Sequence, residues 1–331
     1  MIIRTKAFAR AGLAGNPSDG YFGKTVSLTF RNYFAEVTMY QTPDVEILPN
    51  ERDHSYFSSF QDLVKDVNIH GYYGGIRLIK AAAKKFHDYC AEKGIVLEDK
   101  NFTVRYCTNI PVQVGLGGSS AIVTATMRAL MTFYGVEIPK PVLPNVILAT
   151  ETDELNISAG LQDRVIQVYE GLVYMDFDKA IMQEQGYGNY ERINVNLLPH
   201  LYLAYISDLS EISGIAHGNL RGRFQAGDPA VVQAMDYFAQ KALEFREALL
   251  KRDFTRLGQV MNENFDKRRE IFPISQKNLE MISIARNCGA SAKFAGSGGA
   301  IIGTYEDEAM FKNLKESLSE IGAAVIKPLF D

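Results

Sequence analysis

The sequence predicts an α+β fold divided into two domains, and three observations carry that reading. At 331 residues the chain has the length for about two domains. Its first half mixes short alternating strands with helical periodicities, and its last third reads helix, strand, tight loop, strand, helix, strand. Two strands joined by so short a loop run antiparallel, which suits an α+β sandwich and argues against a doubly wound parallel sheet.

Taken in order, residues 26–30 and 35–40 alternate well enough to be two strands separated at Arg31 and Asn32. After Gly74 and Gly75 comes a helix with Ile79, Ala83, Phe86 and Cys90 on one face and Gly94 beyond its end. Residues 102–107 form the next strand. Ile122, Ala125, Thr126, Ala129, Leu130 and Phe133 then recur at helical spacing, with Gly135 placed to stop the helix. Pro139, Pro141 and Pro144 interrupt the chain before a helical stretch over 146–155, and 172–177 is a strand. The polar segment 183–196 is the expected passage between domains, set at residues 1–190 and 191–331. Beyond it stand a strand at 201–206 and a long helix burying Val232, Met235, Phe238, Ala242, Phe245 and Leu249. The end of the chain gives a helix at 279–288, strands at 292–295 and 300–304, a helix at 308–321 and a strand at 323–327.

Between the strand at 102–107 and its following helix lies Pro111-Val-Gln-Val-Gly115-Leu-Gly-Gly-Ser-Ser-Ala121. Glycines let backbone approach an anion, and the unpaired N–H groups of a first helical turn point at it, so this arrangement suits phosphate. Ser119 or Ser120 could cap the helix and also offer a hydroxyl to a metal. A Walker A loop is excluded because no lysine follows Gly118, and a dinucleotide fingerprint because Ser120 stands where its last glycine belongs.

Composition narrows the class. Hydrophobic residues make up 47% and charged residues 22% of the chain, an ordinary balance for a soluble protein. The net charge of −4 recommends neither nucleic acid nor an anionic membrane as partner. Lys267-Arg268-Arg269 lies between Asp266 and Glu270 and reads as a solvated helix face. Three scattered cysteines and five histidines form no ligand pattern and no disulfide framework, which suits a reducing cytoplasm. No signal peptide and no apolar run of about 20 residues is visible.

Two outer segments make the phosphate reading specific: Arg10-Ala-Gly-Leu-Ala-Gly-Asn16-Pro-Ser-Asp19 and Lys293-Phe-Ala-Gly-Ser-Gly-Gly-Ala300. With 111–121 they resemble, in order and position, the three signature motifs of the GHMP kinases. Longer strings at 9–24, 71–78, 159–177 and 213–224 are similar to those of the family branch that phosphorylates D-glucuronate. The resemblance spans nearly the whole chain. It implies an N-terminal domain like ribosomal protein S5 domain 2 and a ferredoxin-like C-terminal domain, with ATP between them. It also implies Mg²⁺ as cofactor, a sugar as substrate and the anomeric hydroxyl as acceptor. Galacturonate, galactose or a heptose phosphate are the rival acceptors, and a non-catalytic sugar-sensing relative is the rival of another class.

The resemblance also distributes roles. Pro111, Gly115, Leu116, Gly117, Gly118, Ser119, Ser120 and Ala121 would wrap the ATP phosphates, with Ser119 or Ser120 and Glu151 holding the metal. Asp163 would sit beside the acceptor hydroxyl, and Arg10 falls where mevalonate kinase has a catalytic lysine. Asn16 and Asp19 would meet the sugar, and Gly296, Ser297, Gly298 and Gly299 would support the substrate side and the phosphate loop. Many family members read Gly-Leu-Gly-Ser-Ser-Ala, whereas this chain inserts Gly118, which leaves the choice between the two serines open. The residue types fit phosphoryl transfer, which works by positioning and by cancelling phosphate charge. Asp163 can orient a hydroxyl and take its proton late, while Arg164 either keeps it ionised or points elsewhere. A uronate carboxylate would want a cation, and Lys24, Arg77, Arg164, Arg221 and Arg223 are candidates. Nothing in the sequence sets an oligomeric state.

Overall fold

A long antiparallel ribbon, β1 (Ile2–Ala14) with β2 (Lys24–Thr42), is the frame of the first half. The computed structural model describes residues 1–50, 53, 59, 61, 74–207 and 220–330. Arg31 and Asn32, expected to divide two strands, instead belong to a bulge within β2. The register jumps from Phe8 opposite Phe34 to Ala9 opposite Phe30. Bulged residues are left unpaired and bend the strand without ending it, which an alternation pattern registers as a break. β4 (Asn101–Thr108) pairs with one end of β2 and β5 (Leu172–Asp176) with the other. β3 (Glu46–Leu48) and β6 (Asn189–Ile193) complete the sheet at its two sides.

Helix α1 (Gly75–Glu92) packs on α2 (Gly118–Tyr134), which lies on β1 and β2. α2 carries Ala121, Val123, Ala125, Met127, Ala129 and Leu130 into the core. Each large apolar side chain buried there contributes about 1.5–3 kcal/mol, and Gly135, at φ 65, ends the helix in the left-handed conformation. α3 (Leu143–Thr152) begins earlier than its prolines suggest, because Pro144 occupies the first turn, where its missing N–H costs nothing. α4 (Gln162–Tyr169) packs beside α2 and α3. α5 (Lys179–Gln185) precedes β6, and the expected boundary at residue 190 falls inside that strand.

The second sheet runs β10 (Ala324–Ile326), β7 (Leu201–Tyr205), β9 (Ala300–Thr304), β8 (Lys293–Phe294), all antiparallel. With helices inserted after β7 and after β9 this is the ferredoxin-like order. α6 (Pro229–Lys251), α7 (Phe254–Ile271) and α8 (Gln276–Asn287) fill the first crossover, and α9 (Glu308–Ser319) the second. Asp228, Asp253 and Asp307 cap α6, α7 and α9 through their carboxylates. Tyr202, Phe265, Met281, Phe294, Ile301 and Leu314 form the core of this half. Among the described residues no helix is long and apolar enough to cross a membrane, and Cys90, Cys107 and Cys288 are free thiols. Tyr72, Tyr73, His54, His70 and His217 lie outside the described residues.

Candidate active site

The loop from Pro111 leads into α2, whose first residue is Gly118 and whose cap is Gly117 in the left-handed conformation, φ 75. Neither serine caps this helix. Ser120 is buried and its Oγ donates to Gly117 O at 3.1 Å, whereas Ser119 is half-buried and donates to Glu151 Oε1 at 2.8 Å. Gln167, from α4, donates to Gly117 O at 2.8 Å and Phe8 O at 3.1 Å, tying the loop to β1. The N–H of Ala121 is a third donor to the Gly117 carbonyl, at 3.0 Å, so the Gly117 turn is fixed, and the first N–H groups of α2 face away from the body of the helix.

Arg10, near the end of β1, is 5% exposed. Its Nε and Nη2 donate to Asp163 Oδ1 and Oδ2, each at 2.6 Å, a two-pronged ion pair. Its Nη1 donates to Gly115 O and, at 3.2 Å, to Ala295 O. One guanidinium therefore joins the carboxylate of α4 to both glycine loops. Burial would raise the Asp163 carboxyl, but Arg10, and beyond it Arg164, override that effect and hold it below the usual range. The sequence left Arg164 two directions. It turns to Glu151, with Nε 2.8 Å from Oε2 and Nη2 on the same oxygen, and its Nη1 stays 3.7 Å from Asp163 Oδ2. Glu151 is wholly buried, and Arg164 is its partner inside the protein.

Asp19 stands in the short turn Ser18–Tyr21, where its Oδ2 accepts Gln162 N at 3.1 Å, at the N-terminus of α4. Burial, and next the charge of Asp163, push its carboxyl up to about 6. Asn16 is buried, and its Oδ1, accepting from Lys293 Nζ at 2.8 Å, ties the loop to β8.

The second glycine loop packs directly on the first. A Cβ on Gly115 would lie 2.8 Å from Gly298 O, and one on Gly296 would lie 2.2 Å from Gly115 O. From beneath, Arg268 donates to Gly296 O and Ser297 O, both at 3.0 Å, and lies against the rings of Phe272 and Phe294. Arg268 is thus 4% exposed and not on a solvated face. The apolar stripe of α7, Leu257, Met261, Phe265 and Ile271, carries Asn264 and Arg268 on the same side, and that spacing was the signal for it. Asn264 accepts Gly15 N at 2.7 Å and donates to Asn16 O at 3.1 Å. Lys293, 1% exposed, donates to Gly12 O, Phe294 O and Asn16 Oδ1; burial, then Arg268 and Arg10, hold its ammonium well below the usual range.

Of the cations proposed for a uronate, Lys24 pairs with Asp176, Arg164 with Glu151, and Arg223 with Asp228 at 2.8 Å. Among the described residues no three acidic, histidine or cysteine side chains gather as a metal cage.

A phosphate-type loop braced by a second glycine loop, on a ferredoxin-like half, defines a small-molecule kinase fold. Residues 77–171 match the GHMP kinases N-terminal domain and 245–324 the GHMP kinases C-terminal domain, and the chain belongs to that family. It is 47% identical over 308 residues to probable glucuronokinase 2 of Arabidopsis thaliana, covering 91% of this chain and 84% of that protein. Glucuronokinase 1 of the same organism is 45% identical over 306 residues, with the same shares covered. Lactococcus lactis galactokinase complexed with galactose has the same fold, with a TM-score of 0.77 at 16% identity over 99% of this chain and 93% of that one.

Proposed function

We propose that this chain transfers the γ-phosphoryl group of ATP to the anomeric hydroxyl of D-glucuronate, giving D-glucuronate 1-phosphate. The observation that carries the substrate is the 47% identity to a probable glucuronokinase along 91% of the chain. The chemistry rests on the Arg10–Asp163 pair between the two glycine loops. We place the reaction in the cytoplasm, in keeping with three free thiols.

In this reading the first turn of α2 receives the ATP phosphates. Asp163, kept ionised by Arg10, orients the sugar hydroxyl and accepts its proton as the new P–O bond forms. A carboxylate held at low pKa is a weak base, which suits a loose transfer where the proton leaves late. Arg10 offsets charge at the transferring group and holds Asp163 in place. Asp19 accepts hydrogen bonds from neighbouring sugar hydroxyls. The donor set fits Mg²⁺: Ser119 and Glu151 present hard oxygens 2.8 Å apart, and phosphates and waters usually complete such a site. When bound, the ion would cancel phosphate charge. Ser119, not Ser120, is the serine we assign to it, since Ser119 stands beside the Glu151 carboxylate while Ser120 is buried and turned back to Gly117.

ADP release measured across glucuronate, galacturonate, galactose, glucose and a heptose phosphate tests the assignment. Glucuronate should give the highest kcat/KM; faster turnover of an uncharged sugar sinks it.

A further inference from the structure

We propose that Arg221 receives the substrate carboxylate and so selects a uronate over a neutral hexose, an inference that rests on the glucuronate reading. In a hexuronate the C1 hydroxyl and the C6 carboxylate are carried by C1 and C5, the two carbons that flank the ring oxygen. A receptor for the carboxylate therefore stands apart from Asp163, past the ring-oxygen edge of the sugar.

The wall leading away from Asp163 is continuous. Asp19 accepts the N–H of Gln162, the neighbour of Asp163. Two residues on, Tyr21 closes the same short turn, and its ring meets that of Phe224 at 4.8 Å between centroids. Residues 220–225 are helical, so Arg221 and Phe224, three apart, share a face and Arg221 lies on the Tyr21 side. Leu220, buried with Met235 and Phe238, anchors this turn. Burial pushes the Tyr21 hydroxyl up, the positive charge of Arg221 pulls it back, and Asp19 adds to the rise, so both ions act on one phenol.

The other cations have partners. Lys24, Arg164 and Arg223 are in ion pairs, and Arg77 has an interaction of its own. Arg221 is exposed, and among the described residues no hydrogen bond or ion pair holds it. A guanidinium can grip a carboxylate with two parallel hydrogen bonds, which the hydroxymethyl group of glucose cannot reciprocate.

Full-length wild type, Arg221→Met and Arg221→Lys are compared on glucuronate and on glucose, with KM for ATP as a third readout. Losing a charge-assisted pair should lower kcat/KM on glucuronate roughly 10- to 100-fold. Turnover of glucose and KM for ATP should stay within about twofold, and Arg221→Lys should fall between. If Arg221→Met keeps the wild-type preference for glucuronate, or loses both sugars equally, Arg221 is not the receptor. If wild type itself shows no preference for glucuronate, the parent reading fails instead.

Discussion

The two glycine loops look alike in sequence and do opposite work. Gly115–Ser120 opens a helix, whose first N–H groups have no partner within the helix, and its serines are sorted into one buried and one half-buried. Residues 296–299 join two strands, and the carbonyls of Gly296 and Ser297 are turned to a buried arginine. One loop stands at a helix N-terminus with its donors foremost; the other has its acceptors satisfied by the protein and serves as a backstop. Glycine is required in both for a shared reason: their backbones are too close for a Cβ on either side. Glycine content alone therefore says that two backbones meet, and only the neighbours say which one binds.

Four perturbations break or sharpen this contrast. The largest effect is expected for Asp163→Asn, which strips Arg10 of its counter-charge between the loops: kcat should fall by about 10³ or more, with KM for ATP nearly unchanged. Near-wild-type turnover would remove Asp163 from the mechanism. Gly296→Ala comes next, because the new methyl would lie 2.2 Å from Gly115 O and 2.6 Å from Arg10 Nη1. Forced displacement of this kind costs about 1–3 kcal/mol, so a lowered Tm and a KM for ATP raised at least roughly tenfold should appear together. A change in Tm alone would mean that the backstop does not shape the first loop.

The serines should then separate. Ser119→Ala should raise the Mg²⁺ concentration needed for half-maximal rate several-fold. Ser120→Ala should leave it alone and cost about 1 kcal/mol of stability through the lost bond to Gly117. The reverse outcome in a Mg²⁺ titration would exchange their roles.

The smallest effect is on pH. Asp19 has its carboxyl raised from 3.8 to about 6 by burial and Asp163, so its protonated form suits the fold better. The stability it contributes is present in full below 3.8 and is lost as pH rises through about 6. Its charge is wanted by the sugar, so kcat/KM for the sugar should instead drop as pH falls through about 6. Asp19→Asn should flatten both profiles over that window, as chemical denaturation and rate measurements at each pH would report.

Legibility from the sequence followed contact range. The glycine loop, the helix ended by Gly135, and the two closing strands about residues 296–299 are dictated by local spacing, and they stand where spacing put them. β2 was split in two because a bulge is set by its partner strand, and an alternation count knows nothing of partners. Arg268 read as solvated because charge runs usually are; its burial depends on carbonyls about thirty residues away and on two rings. The direction of Arg164 was likewise undecidable locally, since Asp163 adjoins it in sequence while Glu151 reaches it only through the packing of α3 on α4.

Arg10 has a consequence for the order in which this protein becomes competent. Its side chain reaches Gly115, Asp163 and Ala295, positions separated from it by 105, 153 and 285 residues. Such distant closures form late in folding. The first glycine loop therefore acquires its final brace only when nearly the whole chain has been made and the second half has docked. A ribosome-bound first half would hold every residue of the loop and still lack the carbonyl of Ala295 that locks Arg10 in place. The complete brace thus arrives with the last strands of the chain.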